Sequence, residues 1–467
     1  MQIIFNYRKI IQFTLIILLL QTEARPQQTE QTFSLDKCIS YAAMNNPEIK
    51  SASIQEKISV KKIDEAMGSG LPQINLSGSL VNNLELPVQV FPAEYFGGQP
   101  GTYLSAKFGT KYNFTFTGQV TQKLLDASFW LGLDAANYSN QYYKQNSDNI
   151  TEGIYYNVAT AYYQTLVVQK QIQLLEQNIK LVEKSLADTR LLLENGKAKE
   201  VDVDRLSVSY NIIQYQLKNA KENLKQSYNN LKYQIGMPIQ SSLTLSDSVN
   251  FNDDSSLEQK INSLEYVKEQ SINYESRTDY RMLQTSFELQ ELDKKNQIAQ
   301  YFPTISAYGS YNFQGQRENF DLFDGGKDWY KFYSVGLQFN LPIFTGGQTL
   351  ARVEQSSLNM DKLTEQIRQA KEGINLQISN AITKYNSTYD NIKTDKLNID
   401  LAQKVYDLTT IEYNEGEATT MDLTESETRL REAKTNYINS LLELNIAKLD
   451  LEKADGTLIT YLTKQDK

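Results

Sequence analysis

Histidine is absent from all 467 residues, and cysteine occurs once, at Cys38. Without histidine there is neither a His-based catalytic triad nor a His-ligated metal site. A lone cysteine cannot pair within the chain, and its setting in LDKCISYAAM predicts a small packed residue on a helix. Basic charge is also short. Lys and Arg number 47 against 56 Asp and Glu, a net charge of −9, which is the wrong sign for neutralising phosphates, so no nucleic-acid partner is expected. Long apolar runs are missing apart from the stretch Ile10 to Leu20. It follows Arg8 and Lys9, falls short of the roughly 20 residues a membrane-spanning helix needs, and precedes small residues at Thr22 and Ala24. Residues 1–24 therefore read as a secretory signal peptide, with no cysteine at the junction to carry a lipid. An exported chain without membrane helices is either soluble or inserted as strands.

What is present is a repeat. The stretch ENGKAKEVDVDRL at Glu194 to Leu206 parallels NEGEATTMDLTES at Asn414 to Ser426, matching Gly196 with Gly416 and Asp202 with Asp422 at one offset of 220. Gly236 and Gly456 share that offset, and Asp126 faces Thr345 at 219. Upstream, Pro72 matches Pro303 at 231, so the first copy holds about twelve extra residues. They fall in ELPVQVFPAEYFGGQPGTY, whose Pro, Gly and aromatic content predicts an exposed loop over 84–110. The chain divides into repeat 1 (25–250) and repeat 2 (251–467).

Each repeat shows the same order of elements. Alternation of Ile74, Leu76, Gly78 and Leu80 with polar neighbours, then the pattern in KYNFTFTGQVTQ, predicts a β-hairpin over about 72–124. Ile305 to Phe313 and Tyr333 to Leu341 predict its counterpart over about 303–344. A long helical hairpin follows each one, over about 126–235 and 346–455. Ile154, Val158, Ala161, Thr165, Val168 and Ile172 begin a stripe stepping by threes and fours, and Ile374, Ile378, Ala381, Tyr385 and Thr388 begin its match, the spacing of coiled-coil seams. At 1.5 Å per residue such helices run to about 100 Å, with Gly196 and Gly416 turning the chain at their tips. In LPIFTGGQTL, Pro342 ends a strand and Gly346 and Gly347 admit the swing into helix.

Four strands cannot close a barrel, and open edges cannot face lipid, so the strands either cover a soluble core or pool with other copies. Here the chain resembles the TolC-like outer membrane efflux proteins, over nearly its whole mature length. The resemblance rests on FSLDKCISYAAMNNPEI, on LPQI and FPTI opening a strand in each copy, on LPIFTGG, and on the duplicated tip motifs. It implies a mainly α fold with a membrane β-barrel portion. Three chains would contribute four strands each to a twelve-stranded outer-membrane barrel, their antiparallel coiled-coil helices would form an α-barrel in the periplasm, and a mixed region near MPIQSSLTLSDSV and the C-terminus would girdle it.

The implied function is a passive homotrimeric conduit of a tripartite efflux or type I secretion system. Its partners would be outer membrane lipid, a periplasmic adaptor protein and an inner-membrane transporter. By the same resemblance Asp422 and Glu425 form the pore constriction, and Tyr413 and Asp202 latch neighbouring helices. Gly196, Lys197, Ala198, Gly416, Glu417 and Ala418 form the adaptor-docking tips. The arginine that completes the family latch is replaced by Ala418. The competing reading is an exported structural trimeric coiled-coil protein without a pore, which would explain the heptads but neither the strands nor the duplication. No nucleophile and base pair, phosphate loop or metal cluster is legible, so neither enzymatic activity nor a cofactor is expected.

Overall fold

The computed structural model describes residues 32–246 and 272–463 apart from 322, 323 and 325; the signal-peptide segment and the boundary between the two repeats lie outside the described residues. In chain order the elements begin with β1 (Thr32–Phe33), α1 (Leu35–Asn45), α2 (Pro47–Gly68) and β2 (Gln73–Asn82). β3 (Val88–Pro92), a 3-10 turn (Ala93–Phe96), β4 (Tyr103–Lys107) and β5 (Tyr112–Leu125) come next. Then follow α3 (Ala127–Glu194), α4 (Glu200–Ile235), β6 (Thr244–Leu245) and a 3-10 turn (Tyr274–Ser276). The chain continues with α5 (Thr278–Ala299), β7 (Thr304–Arg317), β8 (Tyr330–Asn340), α6 (Gln348–Glu415), α7 (Thr420–Asp455) and α8 (Leu458–Thr463). Lengths recur between the halves: α2 and α5 have 22 residues each, α3 and α6 have 68, and α4 and α7 have 36.

Two compact units arise, each drawing on both halves of the chain. The first, residues 1–51, 149–277 and 373–467, is helical around one main core. Cys38 packs there as a fully buried small residue on α1, beside Val158, Tyr162, Leu231 and Ile235. The short β6 pairs in parallel with β1, and Leu458 and Leu462 of α8 seal the same core. The seam residues Ile154, Val158, Ala161, Thr165, Ile172 and Val182 are buried as their spacing predicts. In α6 the corresponding seam is buried at Ile374, Ala381, Tyr385 and Thr388, and half-buried from Asp395 onward.

Both return helices end on a glycine that the neighbouring backbone touches. Gly236 has φ +74, and a Cβ there would lie 2.7 Å from the Asn45 carbonyl oxygen and the Asn46 Cα. Gly456 has φ +75 and would meet the Ser276 backbone at 2.8 Å. Side chains then close the carbonyls of these helix ends: the Asn46 amide donates to Gln234 O (2.8 Å), and Arg277 Nη1 donates to Ala454 O (3.0 Å). Gly236→Ala should therefore prevent stable folding, since a backbone clash adds to the roughly 1–2 kcal/mol of a left-handed non-glycine residue. Gly196→Ala, at φ +70 with nothing within 4 Å of the added Cβ, carries only the second cost. Denaturation curves of the two variants followed by circular dichroism should separate them, and equal midpoints would contradict the clash.

The second unit, residues 52–148 and 278–372, contains the large sheet. Its order is β2-β5-β7-β8, all antiparallel, so the two predicted hairpins merge through a β5–β7 ladder into one sheet with β2 and β8 as open edges. Directly paired residues share a face. One face therefore carries Ile74, Leu76 and Leu80, Phe114, Phe116 and Val120, Ile305, Tyr311 and Phe313, and Tyr333, Val335, Leu337 and Phe339. The other carries Gln73, Asn75 and Ser77, Thr115, Thr117 and Gln119, Ser310, Asn312 and Gln314, and Ser334, Gln338 and Asn340. Among the described residues no helix is long and apolar enough to cross a membrane.

The strand-to-helix joins differ between the halves. After β8, Gly346 (φ +62) and Gly347 (φ +83) make the turn into α6. After β5, the Asp126 carboxylate accepts from Ser128 N–H (3.1 Å) and pairs with Lys123 (3.1 Å), so a capping side chain does what the glycines do in the other copy. The 84–110 segment corrects the loop expectation. It is exposed, but Val88–Pro92 and Tyr103–Lys107 form a two-stranded antiparallel sheet, because V-Q-V-F and Y-L-S-A are short β-prone runs on either side of a Pro and Gly turn.

Candidate functional site

The tips of the two helical hairpins have the same backbone. At the first, Gly196 N–H donates to Leu193 O (2.9 Å) and Lys197 N–H to Leu192 O (2.8 Å). At the second, Gly416 N–H donates to Tyr413 O (3.1 Å) and Glu417 N–H to Glu412 O (2.8 Å). These are Schellman closures, with glycine at φ +70 and +83 and Ala198 or Ala418 leading to the next helix. Lys197 and Glu417 occupy equivalent places, so the two tips present opposite charges on one geometry.

The return helices start on capping carboxylates. Thr419 N–H donates to Asp422 Oδ2 (2.8 Å), the Thr419 hydroxyl donates to the same oxygen (2.6 Å), and Asp422 N–H donates to Thr419 Oγ1 (3.3 Å). The Thr419 hydroxyl, helped by its backbone N–H, holds the exposed Asp422 carboxyl below the usual carboxylate range. In α4, Asp202 accepts from Lys199 N–H (3.3 Å) and lies 3.8 Å from Arg205. Both aspartates thus start helices. Tyr413 does not meet Asp202 within the chain; its hydroxyl lies 2.9 Å from Thr189 Oγ1 on α3. That bond ties the last turn of α6 to α3.

Glu425 lies one turn beyond Asp422, mostly exposed, with Arg429 3.8 Å away and Arg429 in turn 3.6 Å from Glu432. Glu425 and Arg429 line a groove of about 730 Å³ between α4 and α7, together with Val201, Val208, Ile212 and Met421. The acidic pair predicted for the constriction therefore carries its own cation, which sequence reasoning missed although the i,i+4 spacing to Arg429 was legible. Also missed was Glu427, only 8% exposed, four residues after Leu423 and three before Leu430 in the buried stripe of α7. Its Oε1 has no hydrogen-bond partner, and burial pushes its carboxyl up to about 7 against the opposing pull of Arg431. Among the described residues no group of acidic or sulfur ligands could hold a metal ion.

Comparison with known proteins places this geometry. The sequence profile described as outer membrane efflux protein matches residues 38–237 and 281–457. The chain is similar to outer membrane protein TolC of Vibrio cholerae, 21% identical over 91% of each chain. It is also similar to that of Escherichia coli K12, 24% identical over 92% of this chain and 83% of the other. Among solved structures, the Campylobacter jejuni CmeC outer membrane channel shares the fold with a TM-score of 0.70 at 15% identity, over 95% of this chain and 94% of that one.

Proposed function

This chain belongs to the outer membrane efflux protein family, and from that premise we propose that it is a passive conduit, closed by three copies pooling their strands. As a member it is an outer membrane protein, with its helices in the periplasm forming a tunnel. The observation that carries the trimeric barrel is the sheet: one face mainly apolar, with Gln122 and Lys331 among its exceptions, the other mainly polar, with Tyr308 and Phe332 among its exceptions, and two edges, β2 and β8, without a neighbouring strand among the described residues. Edges facing lipid cost several kcal/mol for each unsatisfied group, and joining β8 of one copy to β2 of the next removes them. The helical unit supports the same reading. Leu397, Leu401, Val405, Leu408 and Ile411 of α6 step by fours and threes, each more than half exposed, a seam left uncovered by the described residues of its own chain. The recurrence of element lengths supports descent of both halves from one duplicated unit.

Transport energy comes from outside such a tube. An inner-membrane transporter supplies it and a periplasmic adaptor couples it, docking at the tips around Gly196 to Ala198 and Gly416 to Ala418. In a trimer Asp422 and Glu425 form rings of carboxylates at the constriction, which favour cations. Asp422 stays anionic through its bonds to Thr419, while Glu425 is offset by Arg429.

Light scattering with detergent subtracted, on protein extracted from outer membranes, should give the mass of three chains, and a monomer would end the pooled-barrel reading. In planar bilayers, Asp422→Asn with Glu425→Gln should weaken cation selectivity, whereas Arg429→Gln should sharpen it. Unchanged reversal potentials in all variants would remove these residues from the constriction.

A further inference from the structure

Several apolar side chains of the 83–111 segment, which joins β2 to β5, find little cover. Leu84 is 92% exposed, Tyr95 78%, Tyr103 72% and Phe96 67%. Within the segment Phe91 lies edge-on to Phe96 and Phe108. The loop joining β7 to β8 behaves differently: Phe320 packs on Tyr112 and Phe114, Trp329 stacks on Phe313, and Asp321 pairs with Arg317 and Lys327. An isolated two-stranded hairpin is marginal in water, and exposed apolar surface of this kind marks a contact site.

Position and charge decide what covers it. The insert leaves β2, the open edge of the sheet, at the end away from the joins to α2 and α3. Its charged residues are Glu85, Glu94, Lys107 and Lys111, two of each sign. A neutral surface is not repelled by its own copy, and it lacks the excess of Lys and Arg that draws a segment to anionic lipid headgroups.

We propose that the 83–111 insert is an inter-subunit clasp, its apolar hairpin packing on a second copy of this chain beside the β2 edge. The inference rests on the pooled-barrel reading and adds a contact that the strands alone do not supply. The clasp acts at the end of the sheet away from the joins to α2 and α3. Because the matching β7–β8 connection of the second half is shorter and holds no strand pair among its described residues, each copy brings one such hairpin, and three copies bring three clasps, one for each junction.

A photo-crosslinking amino acid placed at Tyr103 in the full chain, irradiated in isolated outer membranes, tests the contact. The expected product is a covalent pair of chains whose crosslinked peptide falls within 83–111 or the β2 edge of the other copy. Crosslinks to lipid alone, or only within one chain, while the unmodified protein has the mass of three chains, would overturn the clasp and leave the pooled barrel standing. A monomeric unmodified protein would overturn both. Val90→Ser with Tyr103→Ser leaves the backbone pairing of the hairpin intact. It should lower the temperature at which the oligomer dissociates on a gel, and an unchanged temperature would count against the clasp.

Discussion

Between pH 4.5 and 7 the helical unit should lose stability as the pH rises, and Glu427→Gln should remove most of that dependence. The carboxyl is buried on α7 with Oε1 unpaired; Tyr406 of α6 lies near enough to feel its charge, and Arg431 lies one turn on along its own helix. Burial raises its folded value to about 7 from an ordinary 4.5. In that window the folded protein holds a proton that the unfolded chain has released, so stability falls with rising pH. The contribution is fully present below 4.5 and gone above about 7, and a shift of this size is worth on the order of 3 kcal/mol. Arg431 reduces it, while Asp407 acts on Tyr406 and on Lys434 of α7. Thermal melts across the window should slope for the parent protein and flatten for the variant. Parallel slopes would mean that Glu427 is hydrated or paired in solution. Asp422 has the opposite sign: its folded value is depressed, so its contribution is lost as the pH falls below the ordinary carboxylate range, a separate window.

Val335→Arg should abolish stable insertion into the outer membrane, whereas Gln338→Arg on the same strand should be tolerated. Val335 is 88% exposed on the apolar face and pairs with Gly309 near the middle of β8, while Gln338 faces the polar side opposite Ser306. An arginine on the lipid side costs about 2–4 kcal/mol at the bilayer midplane, and a trimer incurs that cost three times. The polar face accepts a charge because water solvates it. The amount of each variant in purified outer membranes, and its resistance to dissociation in detergent, should fall for Val335→Arg alone. Equal loss for both would indicate a sheet packed on both faces and would count against the pooled barrel.

The helices were legible because their signals are local and periodic. A stripe stepping by threes and fours from Ile154 to Leu186 has one low-energy solution in water, and the Gly tips and Pro342 punctuate it without tertiary help. The strands were legible for the same reason, since Ile74, Leu76 and Leu80 alternate cleanly. Less legible was the hairpin at 88–107, where Pro and Gly outweighed two runs too short to show a period. The bonding of the candidate site residues was not readable. Asp422 and Asp202 were found through duplication, yet their capping role depends on where each helix starts, and the Tyr413–Thr189 bond joins residues of different helices.

By itself the sequence determined the alternating strands and the long periodic helices with their glycine tips, because patterning and turn residues act over a few neighbours. Only the tertiary structure decided that β5 pairs with β7, that Glu427 is buried while Glu425 is exposed, and that the insert carries an uncovered apolar hairpin. Those outcomes depend on which surfaces meet. A carboxylate on a helix reads the same in sequence whether water or another helix lies across from it, and its proton affinity differs between the two by the cost of burying charge.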